Sequence, residues 1–314
     1  YDIAIRNAKI ALTQAKTNRA AIEPLRLMVQ AMAASGAYNE ILTALNEHDA
    51  VVSAATDPAT FGFWRALALL ETGKYAEAEQ AALAIPANKT KPDRFAALQR
   101  VAARALLAQG RLAEALTLFA AANADATGAS AGARQANLLE WSLALEKSGR
   151  IDEAFSVIER QDQTVENSAV KEQGALLRAR LLQQTGQTET ANTILQGLST
   201  NSTISEAVRV SACINMAEIA RNAANTNAAI AAARQAYEIA RSPALRRSAT
   251  MLLANLLLAD RATLDEGEAL IKTFVRANPE TREGSAAQLQ LAQALLFHGL
   301  YERAAGEFGV YLET

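Results

Sequence analysis

Apolar, small and polar positions alternate along residues 64–82 (WRALALLETGKYAEAEQAA) in a way that sets the pattern for the whole chain. Small Ala66 and large Leu69 stand three residues apart before Gly73, and Tyr75 and small Ala78 stand three apart after it. Three-residue spacing places each pair on one face of a helix. The glycine between them can adopt the backbone of a sharp turn, so the stretch predicts helix, turn, helix. Small side chains let the two backbones approach closely, and the large ones fill the space beside them.

The unit recurs. Turn centres of the Gly73 kind fall at Gly36, Gly73, Gly110, Gly149, Gly186, Ala224, Ala262 and Gly299, with spacings of 37, 37, 39, 37, 38, 38 and 37 residues. Five residues after the centres come Ile41, Ala78, Ala115, Ala154, Ala191, Ala229, Gly267 and Ala304; seven before come Val29, Ala66, Ala103, Ser142, Ala179, Ala217, Asn255 and Ala292. Four before come Met32, Leu69, Leu106, Leu145, Leu182, Ala220, Leu258 and Leu295. Three columns in register over eight units make an internal repeat, the signature of a solenoid. The units at Ala224 and Ala262 depart most, because they lack the turn glycine.

Proline gives an independent reading, since it suits a helix's first turn and breaks its interior. Pro58 and Pro243 follow the N-cap candidates Asp57 and Ser242, Pro24 is expected near the start of a first helix and Pro86 near the end of a second, and Pro92 and Pro279 in connections. Thr203 and Glu206 have the spacing of a capping box. Residues 123–133 and 198–203 read as surface loops. Residues 1–14 match the second helix of a unit whose first helix is missing, with about eight full repeats over 18–314. The expectation is one repeat array, residues 1–314, cut from a longer protein close to repeat boundaries.

Composition fits an all-α chain: half the residues are hydrophobic, 5% are aromatic, and there are only 15 Gly and 6 Pro. The formal net charge of −2 gives no global attraction for nucleic acid or an anionic membrane. The longest uncharged stretches, such as 248–259, fall short of the roughly 20 residues that span a bilayer. One cysteine, Cys213, excludes an intrachain disulfide. It sits in an apolar first helix with no neighbouring base to make it a nucleophile. His48 and His298 lie in distant units without metal-ligand spacing. No phosphate-binding glycine motif occurs. The expectation is a non-enzyme with no cofactor and no metal.

The motifs GKYAEA (73–78), GRLAEA (110–115), GRIDEA (149–154) and GLYERA (299–304) resemble the tetratricopeptide repeat family. The likeness extends over nearly the whole chain, although the family unit is about 34 residues and these are longer by three to five. Residues 286–312 are also similar to repeats of bacterial outer-membrane assembly lipoproteins, which favours the bacterial cell envelope over the cytoplasm. The resemblance implies a right-handed superhelical α-solenoid whose first helices line a concave groove. It further implies a protein-interaction scaffold that holds an extended peptide or a helix there.

If the family geometry holds, residues ten and six before each turn centre face the groove. They give Arg26 and Gln30, Phe63 and Leu67, Arg100 and Arg104, Leu139 and Leu143, Leu176 and Arg180, Ile214 and Glu218, Leu252 and Leu256, and Leu289 and Gln293. Phe63, Leu67, Arg100, Arg104, Leu143 and Arg180 are the candidate partner-binding residues. Arg100 and Arg104, one turn apart, form either a carboxylate-binding spot or a charged face paired with neighbouring acids. The leucines either receive an apolar peptide or pack between units. The first helices lack the inward Lys and Asn set with which some family members grip acidic C-termini, and leucine at many inward positions argues against RNA reading. Alternative readings are the arm of a larger enzyme or envelope export machine, and polysaccharide binding, for which aromatic platforms are few beyond Phe63 and Trp64.

Overall fold

The computed structural model describes residues 1–124, 128–160, 168–279 and 281–313, and among them every regular element is helical. The chain divides between Lys171 and Glu172 into two compact units. In the first, α1 (Asp2–Gln14) precedes four hairpins. These are α2 (Asn18–Ala34) with α3 (Tyr38–Glu47) and the short α4 (Asp49–Ser53), α5 (Ala59–Glu71) with α6 (Tyr75–Leu83), α7 (Pro92–Ala108) with α8 (Leu112–Ala124), and α9 (Ala131–Lys147) with α10 (Ile151–Ile158). The division falls in the first turn of α11 (Ser168–Gln184), which pairs with α12 (Thr188–Thr200). The second unit continues with α13 (Glu206–Asn222) and α14 (Thr226–Ile239), α15 (Pro243–Ala259) and α16 (Leu264–Ala277), and α17 (Arg282–Phe297) and α18 (Tyr301–Glu313).

Seven hairpins turn in one way. The six turn glycines of the register hold φ between 74° and 83°, the left-handed conformation that glycine adopts without a Cβ clash. The next residue's N–H then donates to the carbonyl five positions back, as from Lys74 to Leu69 at 2.9 Å and from Arg111 to Leu106 at 2.9 Å. Ala224 makes the same turn at φ 54°, with Asn225 N–H donating to Ala220 at 2.8 Å. Ala262 does not. There α15 ends at Ala259 and Asp260 is extended (φ −112°, ψ 131°). The Asp260 carboxylate accepts from Ala262 N–H at 2.9 Å, and Thr263 Oγ1 donates to the Leu257 carbonyl at 2.7 Å. Side chains replace the missing left-handed residue in closing this turn.

The three columns form the core. Ile41, Ala78, Ala115, Ala154, Ala191, Ala229 and Ala304 are buried, as are Val29, Ala66, Ala103, Ser142, Ala179, Ala217 and Ala292 from the column seven before the turn. Asn255 alone of that second column is exposed. At Gly267 the two helices come close, since a Cβ there would lie 3.0 Å from the Leu258 backbone nitrogen.

Several sequence expectations are corrected. Pro24 is the seventh residue of α2, inside the helix, because α2 begins at Asn18, where Thr17 Oγ1 accepts from Ala20 N–H at 3.2 Å. Pro92 opens α7 instead of lying in a connection. α12 continues through Thr200, so 198–200 is helix, while 125–127 of the other expected loop lie outside the described residues. Thr203 and Glu206 form no capping box, since the N-cap of α13 is Ser205. Glu206 instead accepts from the Arg241 and Ser242 N–H groups at 2.7 and 2.8 Å, capping the following first helix. Asp93 accepts likewise from Ser130 N–H at 2.6 Å, and Glu172 from Ser205 N–H at 3.3 Å. Near the start of one first helix, in the first turn for Asp93 and Glu206 and at the fifth residue for Glu172, an acid thus caps the next.

Candidate binding face

The inward register brings Arg26, Gln30 and Phe63 together. With Ala59, Thr60, Trp64, Asp93, Arg94 and Ala97 they line a cavity of about 230 Å³ spanning three consecutive first helices, α2, α5 and α7. The half-buried Phe63 and Trp64 rings meet edge to face, with centroids 5.0 Å apart and planes at 69°. Two cations line the same cavity. Arg26 donates from Nε and Nη2 to the two Glu23 carboxylate oxygens at 2.8 and 2.5 Å, an interaction that lowers the Glu23 pKa and raises that of Arg26. Arg94 Nη1 donates to Thr60 Oγ1 at 2.8 Å and to Asp57 Oδ2 at 3.2 Å. Arg94 and Trp64 lie outside the two inward columns, so those columns alone miss them. The sequence signal for Arg94 is that it stands one repeat, 37 residues, after Asp57, which lets equivalent positions of adjacent units pair.

Leu67 is half-buried and packs, with Phe63, against the core around Leu69, Ala78 and Leu98. Arg100 and Arg104 each face an acid. Arg100 Nε lies 3.4 Å from Glu140 Oε1 on α9, and Nη1 donates to the Ala133 carbonyl at 3.4 Å; only 16% of its side chain is exposed. Burial dominates this pair, lowering the Arg100 pKa and raising that of Glu140 despite their attraction. Arg104 Nη2 lies 2.7 Å from Glu71 Oε1. The basic spot is therefore already met by protein carboxylates. Leu143 is half-buried on α9, and Arg180 is half-buried on α11 in the second unit. Phe63, Leu67, Arg100, Arg104 and Leu143 belong to the first unit, and Phe63 alone of these lines the cavity.

Cys213 and His298 occupy structural positions. Cys213 is buried, and burial pushes its thiol up to about 11, far from a thiolate at neutral pH. His298 caps α17, with Nε2 2.9 Å from the Leu258 carbonyl oxygen. His48 joins α3 to α4. Among the described residues no group of three or more His, Cys, Asp or Glu is arranged to hold a metal ion, and no helix is long and apolar enough to cross a membrane. In the second unit a separate cavity of about 320 Å³ is lined by the inward Leu252 and Leu256, with Arg221 and Asn255.

No family model matches the chain, and no curated protein is detectably similar in sequence. Solved structures are similar in fold. The tetratricopeptide repeat sensor protein of Pyrococcus horikoshii, a signal transduction ATPase with numerous domains, matches with a TM-score of 0.64 at 11% identity, over 99% of this chain and 51% of that one. The apo form of the quorum sensor NprR from B. thuringiensis matches at 0.53 and 10% identity, over 95% of this chain and 99% of that one. A chain of the APC/C hetero-tetramer Cut9-Hcn1 matches at 0.54 and 15% identity, over 87% and 49%. This chain thus spans about half the length of two of these three. The fold is an all-α solenoid of the tetratricopeptide type.

Proposed function

We propose that the chain is a non-enzymatic scaffold that binds an extended segment or helix of a protein partner on its first-helix face. The observation that carries this reading is the cavity built by Arg26, Gln30 and Phe63 across α2, α5 and α7. Three consecutive units contribute to one concave site, the arrangement a repeat array offers to a linear ligand. The cavity supplies an aromatic wall for an apolar anchor residue of the peptide. Its two arginines, each holding one acid already, retain N–H donors for backbone carbonyls or a carboxylate. Leu67, Arg100, Arg104 and Leu143 extend the contact along the same unit, and Arg180 serves a separate stretch of partner. Nucleic acid is disfavoured by the net charge of −2 and by the acids that meet Arg26, Arg94, Arg100 and Arg104.

Selection of a displayed peptide library on the purified protein tests this. Selected peptides should share an apolar anchor, and Phe63→Ala should weaken them by about 2 kcal/mol or more if the anchor is a hot spot. Thr60→Trp, which fills the cavity, should abolish binding, whereas the remote Phe297→Ala should not. Enrichment of no sequence, or binding indifferent to Phe63 and Thr60, overturns the reading. The edge-to-face Phe63–Trp64 pair presents no flat platform to a sugar ring, so oligosaccharides should fail to compete.

A further inference from the structure

On the side of the second helices a larger cleft lies between α1 and α3, with α2 as its floor. Its volume is about 490 Å³. The floor is apolar: Met28 and Met32 of α2 are 2% and 6% exposed, and Leu12 and Ala44 flank them. Paired methionines suit such a surface, because their flexible thioether chains adapt to different apolar partners. The rim is charged. Glu40, Thr43, Ala44 and Glu47 follow one another at helical spacing along the wall of α3, and Lys9 and Thr13 stand on the wall of α1.

Glu40, Glu47 and Lys9 are exposed, and none enters an ion pair among the described residues. This contrasts with Arg26, Arg94, Arg100 and Arg104 of the first-helix face, each of which holds an acid. Two acids seven residues apart on a helix lie ~10 Å apart along its axis. A helix running alongside α3 repeats that spacing at its own positions i and i+7. Between them, positions i+3 and i+4 point into the groove.

We propose that this cleft seats an amphipathic helix of a partner protein, distinct in site from the segment proposed for the first-helix face. The partner carries Lys or Arg at i and i+7 opposite Glu47 and Glu40, apolar residues at i+3 and i+4 over Met28 and Met32, and an acid on its far flank opposite Lys9. The methionine floor supplies the apolar contact, and the charges fix register and orientation.

The test uses a fluorescein-labelled helical peptide with Lys at i and i+7, Leu at i+3 and i+4, and Glu on the far flank. A second peptide has the two Lys replaced by Glu, and a third has the first composition scrambled. Anisotropy titration of the whole chain should show saturable binding of the first and none of the scrambled peptide. The exposed double change Glu40→Lys, Glu47→Lys should weaken the first peptide by about tenfold or more, turning two attractions into repulsions, and should make the Glu peptide the better ligand. Thr43→Trp, at the lip of the cleft, should abolish both, while Thr60→Trp in the first-helix cavity should leave both intact. Circular dichroism verifies that each variant keeps its helices. Equal binding of the scrambled peptide, indifference to the Glu40 and Glu47 changes, failure of the charge swap to reverse preference, or no saturable binding at all overturns the proposal. Loss on Thr60→Trp in place of Thr43→Trp returns the peptide to the first-helix face and overturns it too.

Discussion

Ala224 holds φ at 54°, where the Cβ of an L-residue crowds its own carbonyl. Six other hairpins put glycine at that place, and a Cβ built on any of those glycines meets nothing within 4 Å. Their cost of substitution is therefore backbone conformation alone. Ala224→Gly should raise stability by about 1 kcal/mol and Gly73→Ala lower it by about the same, read from urea unfolding midpoints at unchanged slope. The Arg100–Glu140 pair yields a second expectation at this scale. Burial raises the Glu140 pKa above its ordinary 4.5 in the folded state. The folded chain therefore binds that proton more tightly than the unfolded one. Glu140 contributes most below about pH 4.5, and the contribution is lost as pH rises through the raised value. Melting curves from pH 4 to 8 should show the wild type losing stability relative to Glu140→Gln as pH rises; an increase in the relative stability of the wild type contradicts the assignment. Arg100 illustrates what one helix can tell. Its spacing from Arg104 is visible in the sequence, but Glu140 lies 40 residues away on another helix, and only packing reveals that burial outweighs their attraction.

At the scale of the helix, repeats are legible wherever the cause is local. The turn glycines, the small column five residues beyond them and the large column four before them each follow from one hairpin's own packing, and the register finds them. The start of α13 follows from a neighbour. Thr203 and Glu206 have the spacing of a local cap, yet Glu206 spends its carboxylate on Arg241 and Ser242. Hydrogen bonds from these backbone N–H groups hold the Glu206 pKa below 4.5. Its folded pKa is depressed, so its contribution is present above 4.5 and lost as pH falls through the depressed value. Glu206→Gln should lower the melting temperature at pH 7 and converge on the wild type in acid. Hydrogen exchange at Arg241 and Ser242 should quicken with it, while exchange in α13 stays unchanged. If α13 frays and α15 does not, Glu206 caps its own helix after all. The Ala262 turn has the same lesson in reverse: the sequence register places a left-handed residue there, but Asp260 and Thr263 close the loop with side chains, which a column of backbone positions does not record.

At the scale of the molecule, the principal packing pairs among the described residues join helices one to three places apart in the chain. Loop closure among them is therefore short, and stability is a sum of local hairpin energies and neighbour interfaces. This is why so much of the architecture was readable from periodicity alone, whereas the cavity at Phe63 and the cleft at Met28 were not. Both depend on how helices of successive units space themselves, and the cleft at Met28 also needs the second helices α1 and α3, which the groove columns do not treat. The same locality predicts how the array fails. Leu25 is fully buried in the cluster of Met28, Ile41, Leu45 and Phe61. Leu25→Ala should cost about 2–5 kcal/mol, the transfer of its methyls plus the cavity left behind. In a single cooperative domain that loss would lower the protection of every core amide alike. In a chain of neighbour-coupled hairpins it should fall on α1 through α5, with amides of α15 through α18 exchanging at wild-type rates. Native-state hydrogen exchange on the variant decides between the two. Uniform loss of protection through residues 243–313 would mean that the chain unfolds as one body despite its local contacts.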